Sequence, residues 1–88
     1  PSEFNLSNVY PNPFNPITYF RVEIPHNTKL VLDIFNLLGQ KIDNIYHGFI
    51  GPGNHLMYWE PISQPSGIYF IKMITDNFTT TNKMILLK

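Results

Sequence analysis

The 88-residue sequence has no cysteine, so neither a disulfide framework nor a thiolate metal site is open to it, and the core must hold by packing alone. Charge is scarce: charged residues make up 14%, against about 25% in an average domain. Six basic residues balance six acidic ones, which leaves no electrostatic footprint for nucleic acid or for an anionic membrane. Long apolar runs are missing as well. The longest, four residues each as in Ile68 to Ile71 and Met84 to Leu87, fall far short of the roughly 20 residues of a transmembrane helix. Apolar residues nowhere keep a helical period over the roughly 11 residues that would argue for an amphipathic helix. The first residues do not read as a signal peptide. Pro1-Ser2-Glu3 opens like a piece of a longer protein, from which an exported domain would take its signal.

What the sequence does have is proline, asparagine, threonine and aromatic rings. Pro11, Pro13 and Pro16 fall within the segment Tyr10-Pro11-Asn12-Pro13-Phe14-Asn15-Pro16. Each proline removes a backbone donor and drives the preceding residue toward extended geometry. The segment therefore cannot be helix or a central strand, and is expected to be stiff and close to polyproline II. Tyr10 and Phe14 are costly to leave in water, so the segment is expected to lie against the domain as a clasp, with both rings plugging one end.

The rest of the chain reads as strands and turns. Phe4, Leu6 and Val9 allow a short edge strand in residues 1–9, a lead-in before a single domain over 10–88. From Ile17 to Ile24, Phe20, Val22 and Ile24 share one face and Arg21 and Glu23 the other. Pro25-His26-Asn27-Thr28 is a turn into a strand in which Leu30, Leu32 and Ile34 alternate with Val31, Asp33 and Phe35. The short connection suggests that these two strands pair as an antiparallel hairpin. Asn36 to Gly39 closes a second hairpin into Gln40 to Tyr46, with Ile42 toward the core. Gly48, Gly51, Pro52 and Gly53 bracket a loop before His55 to Trp59. Ile68 to Thr75, a turn at Asp76-Asn77, and Phe78 to Leu87 complete the strands. Turns every 8–12 residues or so are the spacing of an all-β sandwich. The expected fold is a small immunoglobulin-like antiparallel β-sandwich of about seven strands.

No catalytic constellation emerges. His26, His47 and His55 lack ligand spacing and read as surface or partly packed side chains. Glu3, Glu23, Asp33, Asp43, Glu60 and Asp76 are scattered through separate elements, whereas a glycosidase needs two facing carboxylates. Ser63 and Ser66 lie in loop sequence without a nucleophile elbow, and no glycine-rich phosphate cradle is present. The reading is a non-enzyme without metal or cofactor. Trp59, Tyr58, Tyr46, Tyr69 and Phe49 raise a carbohydrate platform as an alternative, although Trp59 and Tyr69 share the inward phase of Met57 and Ile71. The P-x-x-P match at Pro13 to Pro16 and the sequons at Asn5 and Asn77 are short patterns that an Asn/Thr-rich chain meets by chance.

Five blocks then occur in one order. Tyr10-Pro11-Asn12-Pro13-Phe14-Asn15-Pro16 runs into Ile17-Thr18 and Phe20, and Ile24-Pro25 precedes Ile34-Phe35-Asn36-Leu37-Leu38-Gly39-Gln40. Gly53 to Trp59 follows, then Ser66-Gly67-Ile68-Tyr69-Phe70, then Lys83-Met84-Ile85-Leu86-Leu87-Lys88. In this the chain resembles the C-terminal sorting domains of the type IX (Por) secretion system, type A, nearly end to end. The departures from the family pattern, Ile24 for Leu and Phe35 for Tyr, conserve volume.

The resemblance implies an address rather than a catalyst. Such domains sit at the C-terminus of secreted and surface proteins of Bacteroidetes-like bacteria, on an immunoglobulin-like sandwich. They fold in the periplasm and are read by the outer-membrane translocon and its shuttle. A sortase commonly removes them, and the cargo is then released or held at the cell surface. By the same resemblance Asn36, Gly39, Gln40, Trp59, Ser66, Gly67, Tyr69 and the Tyr10–Pro16 segment are signature positions. Lys88 is expected to be a native C-terminus, and the isolated domain a monomer. The last strand, Lys83, Met84, Ile85, Leu86, Leu87 and Lys88, is the candidate element for translocon recognition, offering backbone for strand addition with flanking lysines as gatekeepers. The alternatives are a carbohydrate-binding accessory module and a structural spacer similar to the immunoglobulin-like part of flagellar hook-capping proteins.

Overall fold

The period-2 alternation of apolar residues is realised as seven strands in the computed structural model, which describes all residues from Pro1 to Lys88. They are β1 (Asn5–Leu6), β2 (Thr18–Ile24), β3 (Thr28–Asn36), β4 (Lys41–Ile50), β5 (Gly53–Trp59), β6 (Gly67–Ile74) and β7 (Thr79–Leu86). No helix forms. One sheet has the order β1-β2-β5 and the other β4-β3-β6-β7, and every strand pair is antiparallel. The expected immunoglobulin-like sandwich is thus observed, with three strands facing four.

The core lies between the sheets, where the inward phases meet. Phe20, Val22 and Ile24 of β2 face Leu30, Leu32 and Ile34 of β3, Ile71 and Met73 of β6, and Met84 and Leu86 of β7, all buried. Each such side chain contributes about 1.5–3 kcal/mol by leaving water, which is how a chain without cysteine holds together. At one end Phe4 stacks on Phe78 at 5.7 Å, with the His26 ring edge-on to Phe4 at 5.3 Å.

Two expectations about pairing and length need correction. The strands β2 and β3 do not form a hairpin: β2 pairs with β1 and β5, and β3 with β4 and β6. The Pro25–Asn27 connection crosses from sheet to sheet instead. Facing sheets lie only about 10 Å apart, a gap that a few residues span, and both strands need their apolar faces in the common core. The strand β4 also runs four residues past Tyr46, to Ile50. Pairing of Thr28 with Ile50 keeps the ladder going along the whole of β3, and Gly48 is accommodated inside the strand.

Candidate functional site

The prolines of the Tyr10–Pro16 segment rule out a regular strand, and the segment is held by single bridges at its two ends. Tyr10 and Tyr19 exchange both backbone hydrogen bonds, at 2.8 and 2.9 Å, which extends the β1–β2 pairing. The buried Thr18 hydroxyl donates to the Pro11 carbonyl at 2.8 Å. The path then crosses to the other sheet. The Phe14 N–H donates to the Ile85 carbonyl at 2.9 Å, and Leu87 N–H donates to the Phe14 carbonyl at 3.0 Å. Between these points the Asn12 side chain accepts from Ile85 N–H at 3.0 Å and donates to the Lys83 carbonyl at 3.3 Å. The segment is a clasp, as expected, but one that bends at residues 11–13 and again at 15–16, and not a polyproline II rod.

Its two rings part company. Phe14 is 2% exposed and its ring lies 5.8 Å from that of Trp59, so it plugs the end of the sandwich. Tyr10 is 80% exposed; its bridge to Tyr19 aims the ring at the outer face of the three-stranded sheet, where the phenol is hydrated. The expectation of a second plug at Tyr10 does not hold.

The other signature residues collect at the same end. Trp59 closes β5 directly opposite Thr18; its indole N–H donates to Asp43 Oδ2 at 3.0 Å, and its ring meets Tyr69 edge-on at 5.3 Å. The Tyr69 hydroxyl donates to the Pro65 carbonyl at 2.6 Å. Burial pushes this phenol above its ordinary value of 10.0. Lys88 N–H donates to the Ser66 hydroxyl at 2.8 Å, and Gly67 pairs with Leu86. Asn36 lies opposite Tyr69 across β3 and β6. Its side-chain oxygen accepts from the N–H groups of Leu38 and Gln40, both at 3.0 Å, and its amide donates to Gln40 Oε1 at 2.7 Å. Gly39 completes that turn at a φ of 81°, where a side chain would be strained. Blocks separated by dozens of residues thus form one polar-rimmed aromatic plug.

Of the last-strand residues, Met84 and Leu86 belong to the core, while Lys83, Leu87 and Lys88 are exposed and Ile85 is half-buried. The strand β7 is an edge strand, but the outward backbone groups from Lys83 to Leu87 are already taken by Asn12 and Phe14. Sequence reasoning passed over three residues that complete the arrangement. Asp43 anchors the tryptophan, Thr18 ties down Pro11, and Asn82 donates across the sheets to the carbonyls of Leu6 and Ser7 at 3.1 and 2.9 Å. Thr18 stood inside a signature block; nothing in the sequence marked the other two. No group of three His, Asp or Glu side chains is placed to hold a metal ion.

A seven-stranded sandwich closed at one end by an N-terminal clasp is an immunoglobulin-like module whose distinguishing parts are the clasp and the last strand. The model of the secretion system C-terminal sorting domain matches residues 8–87, and the chain belongs to that family, the sorting domains of the Por, or type IX, secretion system. No match is found among curated proteins. The family is one of sorting signals and is non-catalytic. Membership implies secretion through the outer membrane and interaction with the type IX machinery.

Proposed function

We propose that this domain directs an N-terminally fused cargo to the type IX translocon and its shuttle, and that a sortase then separates it from the cargo, which is released or attached to the cell surface. Residues 10–88 act as the sorting domain and residues 1–9 as its lead-in. The observation that carries this reading is the convergence of the signature blocks on the end where the clasp meets the last strand, beside Lys83 and Lys88.

Because Met84 and Leu86 are core residues, the recognition element is the outward part of this strand: Lys83, Ile85, Leu87 and Lys88, read together with the clasp beside them. Deleting Lys83 to Lys88 would unseat the core as well as remove the signal. Lys83→Glu with Lys88→Glu separates the two, since both side chains are exposed. In a type IX-competent host, a cargo fusion carrying the charge reversal should accumulate in the periplasm. Export equal to wild type would remove these lysines from the recognition element.

One observation favours a second reading, a carbohydrate-binding module. Tyr10 of the clasp, Tyr19 of β2 and Tyr58 of β5 lie side by side, the last two with ring centroids 6.3 Å apart. That reading predicts retention on polysaccharide that is lost in Tyr58→Ala.

A further inference from the structure

We propose that the outer edge of β5 is a strand-addition site for an extended, basic-flanked apolar segment of the translocation machinery; this rests on the sorting reading. A sandwich has four edges, and three of them here are blunted. The strand β1 is only two residues long. On β7 the clasp occupies the Lys83 and Ile85 carbonyls and the Ile85 and Leu87 N–H groups. On β4 the register shifts twice, between Leu32 and Asp33 and between Ile34 and Phe35 of its partner, and Lys41 and Asp43 punctuate the strand. Short length, bulges and charge are the ordinary defences of an edge.

The strand β5 has none of them. Gly53 to Trp59 pairs with β2 residue for residue without a shift, and contains no proline and no Asp, Glu, Lys or Arg. Tyr19 and Arg21 bond toward β1, so Thr18, Phe20, Val22 and Ile24 bond toward β5. Antiparallel alternation then directs Gly53, His55, Met57 and Trp59 to β2, and leaves the N–H and C=O groups of Asn54, Leu56 and Tyr58 facing outward. The side chains of Leu56 and Tyr58, 58% and 57% exposed, flank that edge on the outer face.

The occupant follows from what lies beside the edge. Between β5 and β4 runs an open groove of about 500 Å³, lined by Ile45, Tyr46, Met57 and Trp59 and carrying the carboxylates Asp43 and Glu60, with no lysine or arginine in its lining. An added strand would send alternate side chains into this groove and over Leu56 and Tyr58. Apolar residues fit both rows, and a lysine or arginine at its end complements Asp43 or Glu60. Main-chain bonds supply affinity and the groove supplies choice of sequence, the mode of β-augmentation.

The test is export of a cargo fusion in a type IX-competent host, comparing wild type with Leu56→Pro and Leu56→Thr. Proline removes an outward N–H that β2 does not use, as edge strands tolerate, whereas threonine keeps it. The expected result is at least a tenfold loss of export for Leu56→Pro, with a melting temperature close to wild type and Leu56→Thr largely exported. Asn54→Pro serves in the same way should Leu56→Pro not fold. Wild-type export by a folded proline variant overturns the proposal, and so does an equal loss in Leu56→Thr, which would assign the effect to the side chain. A concentration-dependent dimer of the purified chain, abolished by Leu56→Pro, would give the edge to a second copy and also overturn it. Failure of the wild-type fusion to be exported would instead remove the sorting reading beneath it.

Discussion

Asn12 and Ile85, 73 residues apart, are joined as two paired strands would be: the Asn12 side-chain oxygen accepts from Ile85 N–H at 3.0 Å. The same side chain donates to the Lys83 carbonyl at 3.3 Å, so one primary amide occupies both hydrogen-bonding directions of a strand edge. A proline-bracketed residue cannot supply a regular ladder, and the asparagine side chain stands in for the missing backbone. The beginning and the end of the domain thereby stabilise each other.

If this amide closes the edge, Asn12→Ala should cost about 1 kcal/mol, the net worth of exposed hydrogen bonds of this kind. Hydrogen exchange at the Ile85 amide should accelerate far more than at Ile71 in the centre of the sheet. Equal acceleration at both would point to global destabilisation and not to an opened edge.

Phe14 fills the end of the core against Trp59. Phe14→Ala should lower stability by about 3–5 kcal/mol, seen as a large drop in melting temperature, since each kcal/mol shifts a domain of this size by roughly 4–8 °C. Tyr10→Ala should change the melt little, because that ring is in water. An unchanged melt for Phe14→Ala accompanied by lost secretion would make the clasp itself the signal.

At Gly39 the space that a methyl group would take is open, with no atom beyond the adjoining residues within 4 Å of it, and φ is 81°. The cost of Gly39→Ala is therefore conformational and should be about 1 kcal/mol, measured by chemical denaturation. Gly39→Asn should recover part of it, because asparagine tolerates the left-handed region.

The Tyr69 phenol ionises above its ordinary value because burial disfavours the phenolate. In the unfolded chain it ionises at about pH 10, so above that pH the unfolded state sheds a proton that the folded state keeps. The stabilisation is complete below about pH 10 and is lost as pH rises through the folded value. Urea unfolding should show a steeper alkaline decline for wild type than for Tyr69→Phe. Parallel declines would contradict the assignment.

Much of the fold was legible because sandwich strands announce themselves by period-2 alternation: Phe20, Val22 and Ile24, or Tyr69, Ile71 and Met73, fall on the core face as read. The partner of each strand was less legible. A short loop such as Pro25–Asn27 serves a hairpin or a sheet crossing equally well, and only the shared core decides. The site was legible as motif but not as geometry. The blocks Ser66 to Tyr69 and Asn36 to Gln40 stood out, yet their meeting with Phe14 depends on contacts between distant residues. Asn12 with Lys83, and Trp59 with Asp43, leave no local trace. The exposure of Tyr10 was hidden for the same reason, since its direction is set by Tyr19 across the sheet.

The most direct test of the central claim is to place this chain at the C-terminus of a periplasm-directed reporter enzyme in a type IX-competent host and measure reporter activity in the medium and on the cell surface. A sorting domain predicts activity outside the outer membrane, dependent on an intact translocon. Reporter confined to the periplasm, with the domain folded and the translocon working, would contradict it.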